Sequence, residues 1–329
     1  MTLLPWQQKN WTQLQSYIVQ RRIPQALLIT GKKGCGKQQL AKQFANALLC
    51  NHPQSTGLAC GVCNSCLLFA AGTHPDFIAL QPEEAGKGII IEQIRSLITR
   101  LSLKPQYDKY RVVIVNPADA MNIRSSNAFL KCLEEPTERA AILLVTDNPA
   151  KLPATIVSRC QKMAVTTAST SDLSDWLRKQ KPDLSPTDLP VLLALAQNAP
   201  LLALKYANQD TLKQRNDCFK EWLAIAKQKN HPVIVAENWQ SISAQQLLFW
   251  ITSWVMDLIK CAYDSPADRL SNPDLIKTLQ ALLPHIAVKG LYGLYDLLLK
   301  SQQRLDTTIN KQVLFEEILI YWSQLNKVK

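Results

Sequence analysis

The first half of the chain alternates short apolar runs with longer amphipathic stretches. The runs are "ALLIT" (26–30), "DFIAL" (76–80), "RVVIV" (111–115), "AILLV" (141–145) and "QKMAV" (161–165). Most are nearly continuous in apolar residues, as strands buried on both faces are. Between the runs the spacing changes to that of helices. A helix is expected from the end of the loop 31–36 to about Cys50. Ile91, Ile94, Ile98 and Leu101 recur every three or four residues and predict a helix over 91–101. "SNAFLKCLEE" predicts another over 126–135, stopped by Pro136. Strand–helix alternation of this kind implies an α/β unit, a parallel sheet with helices on both faces.

After about residue 166 the strands disappear. "TTASTSD" reads as a polar linker, with Ser171 or Asp172 as the N-cap of the next helix. Short helices follow to about Ala207, punctuated by Pro182, Pro186, Pro190 and Pro200. From about Gln209 the pattern is all helical, with longer segments near 211–229, 244–263, 287–304 and 310–326. Trp250, Trp254 and Trp322 fall on apolar helix faces and read as core. The 329 residues exceed what one ordinary core organises. The expected domains are 1–165 (α/β), 166–208 (small and helical) and 209–329 (helical).

Composition excludes some classes. With 47% hydrophobic and 19% charged residues the chain is globular, not disordered. Its most apolar stretch, 189–207, is interrupted by Gln197, Asn198 and Pro200, so no membrane span is expected. The opening "MTLLPWQQKN" has no basic region followed by an apolar stretch, and a cytoplasmic protein without a signal peptide is expected. The net charge of +11 is spread along the chain. It fits a surface that meets nucleic acid, and equally a solvated alkaline surface.

Of nine cysteines, Cys35, Cys132, Cys160, Cys218 and Cys261 are scattered and read as reduced thiols. Cys50, Cys60, Cys63 and Cys66 instead share one segment, "CNHPQSTGLACGVCNSC", with spacing C-x9-C-x2-C-x2-C. Two residues between cysteines let both sulfurs turn toward one point, and Gly57 and Gly61 give the backbone that freedom. Four thiolates suit a structural Zn²⁺ and leave no open position for catalysis. An iron–sulfur cluster and plain reduced thiols are the alternatives. A ferredoxin-type cluster places its fourth cysteine closely after the others and before proline, whereas Cys50 lies upstream.

"GKKGCGKQQL" (31–40) follows the first apolar run and opens a helix. It matches the phosphate-binding loop G-x-x-x-x-G-K-[ST] until its last position, where Gln38 replaces the hydroxyl that would hold Mg²⁺. Gly31, Gly36 and Lys37 are intact. An active site of this kind also needs an acid pair at the end of a second strand, but "RVVIV" is followed by Asn116 and Pro117. Asp119 comes about a turn too late. Metal binding and water activation are therefore both missing. ATP hydrolysis by this chain is expected to be negligible, and productive ATP binding is not expected.

Taken in order, the loop, the four cysteines, "GTHPDFIALQPE", "IIIEQIRSLITRLS", "SSNAFLKCLEEPTE" and "LPATIVSRCQ" resemble the bacterial clamp-loader subunits of the AAA+ class. The resemblance is strong over the first 165 residues and architectural beyond them. It implies an AAA+ domain, a lid and a helical collar. Its motor members, gamma or tau, keep the hydroxyl and the acid pair, so it implies here a non-hydrolysing subunit of a DNA polymerase III clamp loader. Arg159, in "SRC", would then be an arginine finger acting in trans on a neighbour's ATP. Leu201 or Leu202 would stand where the family carries a sensor arginine. The implied partners are gamma/tau and delta subunits in a hetero-pentamer, with the sliding clamp and primer–template DNA met through the complex. Arg124, Ser125 and Lys131 would begin or line a helix facing that DNA. An ATPase with an atypical site, or a stand-alone zinc-containing nucleic-acid-binding protein, are the rival functions.

Overall fold

A computed structural model describes residues 3–326 except 85, 108, 136, 168, 267–268 and 306–308. The chain divides into two compact units. The first takes the residues up to Ser169 together with Ala199–Leu202, and the second takes Thr170–Asn198 and the residues from Ala203 onward.

The strands of the first unit are β1 (Ala26–Thr30), β2 (Phe77–Leu80), β3 (Arg111–Val115), β4 (Ala140–Thr146) and β5 (Gln161–Ala164). All pair in parallel, in the order β2-β3-β4-β1-β5. The helices are α1 (Gln8–Val19), α2 (Lys37–Leu49), α3 (Asn64–Ala70), α4 (Ile91–Ser102), α5 (Ile123–Glu134) and the single turn α6 (Ala154–Val157). Alternate strand residues serve opposite faces. Leu27, Ile29, Val112, Ile114, Leu143 and Val145 pack with Trp11 and Leu14 of α1 and Phe44 of α2. Leu28, Ile78, Val113, Val115, Ile142 and Leu144 pack with Ile94 and Leu97 of α4, Phe129 of α5 and Ile156 of α6. Burial on both sides explains why the runs are apolar rather than alternating. On α4 the buried line is Ile94, Leu97 and Leu101, and Ile91 and Ile98 are half-buried.

α5 begins three residues before its predicted start. Asn122 caps it, its side-chain oxygen accepting from the Ser125 N–H at 2.9 Å. It ends at Glu134, and Pro136, the predicted stop, lies outside the described residues.

The second unit is helical: α7 (Thr170–Gln180), α8 (Asp188–Leu195), most of α9 (Pro200–Asn208), α10 (Thr211–Ala226), α11 (Pro232–Asn238), α12 (Ala244–Ala262), α13 (Ile276–Leu282), α14 (Val288–Arg304) and α15 (Lys311–Leu325). Ser171 and Asp172 sit inside the first turn of α7 rather than ahead of it. Pro190 lies in the first turn of α8, where proline needs no amide partner, and so does not separate helices. The core is aromatic. Trp222 and Trp322 stack with ring centroids 3.9 Å apart, and the Trp322 indole N–H donates to the Trp222 carbonyl at 3.0 Å. Trp250 and Trp254 are fully buried beside them in the same core. Glycine shapes one helix pair: a Cβ at Gly290 or Gly293 of α14 would collide with Leu325 or Tyr321 of α15. Among the described residues no helix is long and apolar enough to cross a membrane.

Candidate functional site

A parallel sheet gathers the carboxyl ends of its strands on one edge, and here that edge carries the phosphate-type loop. Gly31 follows β1, and a Cβ there would run into the Val165 carbonyl. Gly34 and Gly36 have φ of 83° and 85°, the left-handed region that glycine enters freely. Each is also crowded. A Cβ on Gly36 would meet Leu4 and Gln7, and one on Gly34 would lie 2.9 Å from the Leu202 Cβ. The loop is held from outside as well. Trp6 Nε1 donates to the Cys35 carbonyl at 2.9 Å and Gln7 Nε2 to that of Gly36 at 2.9 Å. The Leu201 N–H donates to the Gly34 carbonyl at 3.0 Å.

Lys37, the first residue of α2, is only 4% exposed. Its Nζ is 2.5 Å from Asp147 Oδ1 and 2.7 Å from the Lys32 carbonyl. Asp147 directly follows β4, the strand beside β1, and lines a depression of about 320 Å³ with Gly34, Gly36, Lys37, Gln38, Asn116 and Leu201. This carboxylate was not singled out in the sequence. It is separated from Lys37 by 110 positions, and only the strand order brings the two together.

β3 is followed by Asn116, joined to Pro117 by a cis peptide bond, and neither side chain offers a carboxylate. Asp119 is spent elsewhere, accepting from Thr146 Oγ1 at 2.5 Å. Gln38 lines the depression without a hydroxyl. The residues present therefore do not fit a Mg²⁺–ATP site, because they supply neither the metal ligand nor the base.

The four cysteines converge. Cys50 ends α2, Cys63 precedes α3 and Cys66 lies on it. All four Sγ atoms lie within 4.8 Å of one another, and the Cys50–Cys63 and Cys60–Cys66 sulfurs are 3.9 Å apart. A tetrahedral ion with metal–sulfur bonds of about 2.3 Å sets its ligands about 3.8 Å apart, so the donors fit a single ion. The Cys60 N–H points at Cys50 Sγ and the Cys63 N–H at Cys60 Sγ, each at 3.3 Å, the kind of donor that stabilises thiolate charge. Burial pushes Cys63 up, but N–H donors from Cys66 and Asn51 and the neighbouring thiols outweigh it and bring it down to about 6. Burial raises Cys50 and Cys66. Gly61, with φ of 77°, makes the turn after Cys60. The other five cysteines are buried and carry free thiols.

"GTHPDF" ties this module to the sheet. Ser65 of α3 donates to the Leu49 carbonyl at 2.7 Å, so the His74 Nε2–H donates to Ser65 Oγ at 2.8 Å. His74 Nδ1 accepts the Asp76 N–H at 3.1 Å. The buried Asp76 carboxylate accepts from Arg111 Nη2 at 2.9 Å, the Gln106 N–H at 2.8 Å and the Tyr107 N–H at 2.9 Å.

Arg159 follows α6 and is 39% exposed. Its Nη2 lies 2.8 Å from Glu134 Oε1 at the end of α5, and its Nη1 donates to the Thr155 carbonyl at 3.0 Å. On α5, Arg124 and Lys131 are exposed and two turns apart on one face. Ser125 is buried, its hydroxyl donating to the Asn122 carbonyl at 2.9 Å.

Two family models match the chain: one described as "DNA polymerase III, delta subunit" over residues 6–169, the other as "DNA polymerase III, delta subunit, C terminal" over residues 209–324. A curated relative from Pseudomonas aeruginosa, "DNA polymerase III subunit delta'", is 34% identical over 98% of this chain and 98% of its own length. The protein of the same description from Escherichia coli is 27% identical over 97% of this chain and 95% of its own. Among solved structures, a gamma subunit-related protein of DNA polymerase III from Thermotoga maritima aligns over 96% of this chain and 99% of its own. Its TM-score is 0.51 at 18% identity, a likeness of fold. The likeness is to a parallel five-stranded sheet with flanking helices and a large helical part after it.

Proposed function

This chain belongs to the family of DNA polymerase III delta' subunits, and from that membership we propose that it is a non-hydrolysing subunit of a clamp loader. It would help place the sliding clamp on primed DNA, beside gamma/tau motor subunits and a delta subunit in a pentamer. Residues 166–208 would form the lid and 209–329 the collar that joins the subunits.

The observation that carries this reading is the state of the loop. Lys37 is bound within the chain by Asp147 and Lys32, Gln38 offers no hydroxyl, and Asn116 and Pro117 offer no acid. What the chain still has for phosphoryl transfer is Arg159, which would reach a neighbour's ATP and stabilise the charge of its transition state. A finger in trans contributes about 10³–10⁵ in rate. The exposed Glu134 partner is no obstacle, since surface ion pairs of this kind are worth about 0–1 kcal/mol. The four cysteines would hold a structural Zn²⁺, a reading supported by sulfur spacings that suit one ion rather than a cluster of several. Arg124 and Lys131 would meet DNA phosphates from the exposed face of α5.

The test is ATP hydrolysis by the reconstituted complex with Arg159→Ala, with assembly checked by size-exclusion chromatography. The site facing this chain should lose turnover by about 10³–10⁵ while the complex stays intact. Unchanged hydrolysis at that site, or brisk hydrolysis by the isolated wild-type chain with Mg²⁺–ATP, would refute the proposal.

A further inference from the structure

We infer that Asp147 is the resident anion of the loop: its carboxylate takes up the Lys37 charge that a polyphosphate would otherwise meet, and thereby shuts the loop against nucleotide. The inference goes beyond the proposed trans role and does not depend on it.

Three observations carry it. First, Lys37 is 4% exposed, so its charge needs an internal partner, and Asp147 Oδ1 at 2.5 Å is that partner. Second, the sheet fixes the acid in place. Thr30 and Thr146 are register partners on β1 and β4, so the residues that follow them, Gly31 and Asp147, leave the sheet side by side. The strand order therefore sets the Asp147 backbone beside the loop, within reach of Lys37. Third, Asp147 is 45% exposed and lines the same depression as Gly34, Gly36 and Lys37. A phosphate entering there would face the Asp147 carboxylate and would find the lysine engaged.

Two unit charges about 5 Å apart at an effective dielectric of about 20 repel enough to weaken binding by roughly 100-fold. Loss of the lysine as a free donor adds to that. Packing by Leu201 and Leu202 against Gly34 narrows the loop further, but it is apolar and does not discriminate by charge.

The test uses the isolated full chain and equilibrium titration calorimetry with inorganic pyrophosphate and with ADP. Asp147→Asn should bind both at least about 100-fold more tightly than wild type. Adding Lys37→Ala should abolish the gain, placing the new binding at this loop. Asp147→Ser, a smaller neutral variant, should behave like Asp147→Asn and guards against an effect of the amide. The inference is overturned if wild type binds as tightly as the variants. It is equally overturned if both neutral variants keep the wild-type melting profile and gain nothing, or if the gain survives Lys37→Ala. Because the readout is binding by this chain alone, its failure leaves the Arg159 experiment standing, and the reverse holds.

Discussion

Replacing Asp76 by Asn keeps the shape of the side chain and removes only its charge, so it isolates what the buried ion pair with Arg111 contributes. The two side chains are 1% and 9% exposed. In the wild type the carboxylate collects the guanidinium and two backbone N–H groups, and Arg111 also donates to the carbonyls of Arg100, Leu103 and Lys104. Breaking one partner of a buried pair costs about 3–5 kcal/mol, mostly the penalty of leaving the other charge uncompensated. The lower end applies, about 3 kcal/mol, because the Arg111 Nη groups still donate to three carbonyls. Arg111→Met should cost a similar amount. The double variant should fall short of the sum by about 2 kcal/mol. With two units in one chain, a single global transition is not assured, so amide exchange in β2 and β3 under mild denaturant is the appropriate measurement. Burial pushes Asp76 up, but the Gln106 N–H, the Arg111 guanidinium and the Tyr107 N–H outweigh it and hold it below the usual carboxylate range. Its contribution is therefore complete above the unfolded value and is lost as pH falls through the lower folded one, and Asp76→Asn should remove that acid-side dependence. A variant within about 0.5 kcal/mol of wild type, or strict additivity in the double, would refute the reasoning.

Two further outcomes follow from the cores. The purified chain should carry one Zn²⁺ by elemental analysis and Cys63→Ser almost none, and wild-type chain isolated without metal or full occupancy in the variant would count against the cysteine site. Trp322→Ala should destabilise the helical unit by about 3–5 kcal/mol, read from denaturant titration of tryptophan emission, since it removes a fully buried ring stacked on Trp222; a loss under about 1 kcal/mol would count against that stack as a core element.

The strands were legible because a sheet covered on both faces demands continuous apolar runs, and all five runs became strands within a residue or so of their predicted limits. The metal cluster was legible because its ligands are close in sequence. The short α11 and α13, seven residues each, went unpredicted because two turns give too few periods to stand out. α11 nonetheless begins with Pro232 after a capping His231, a signal present in the chain. Asn122 similarly marked the true start of α5. Asp147 and the grip of Trp6 and Gln7 on the loop left no such trace. Both depend on which segments the fold makes neighbours, and a linear pattern does not encode that.

The glycines of α14 have a mechanical consequence. With Leu325 and Tyr321 seated where side chains would otherwise project, α15 is keyed into its neighbour like a tooth in a slot. Because Gly290 and Gly293 are one turn apart, sliding by one turn, about 5.4 Å, would carry one of these side chains onto the other glycine and the second against a bulkier position. A slip along this seam therefore loses at least one of the two close approaches that set the register of α14 and α15.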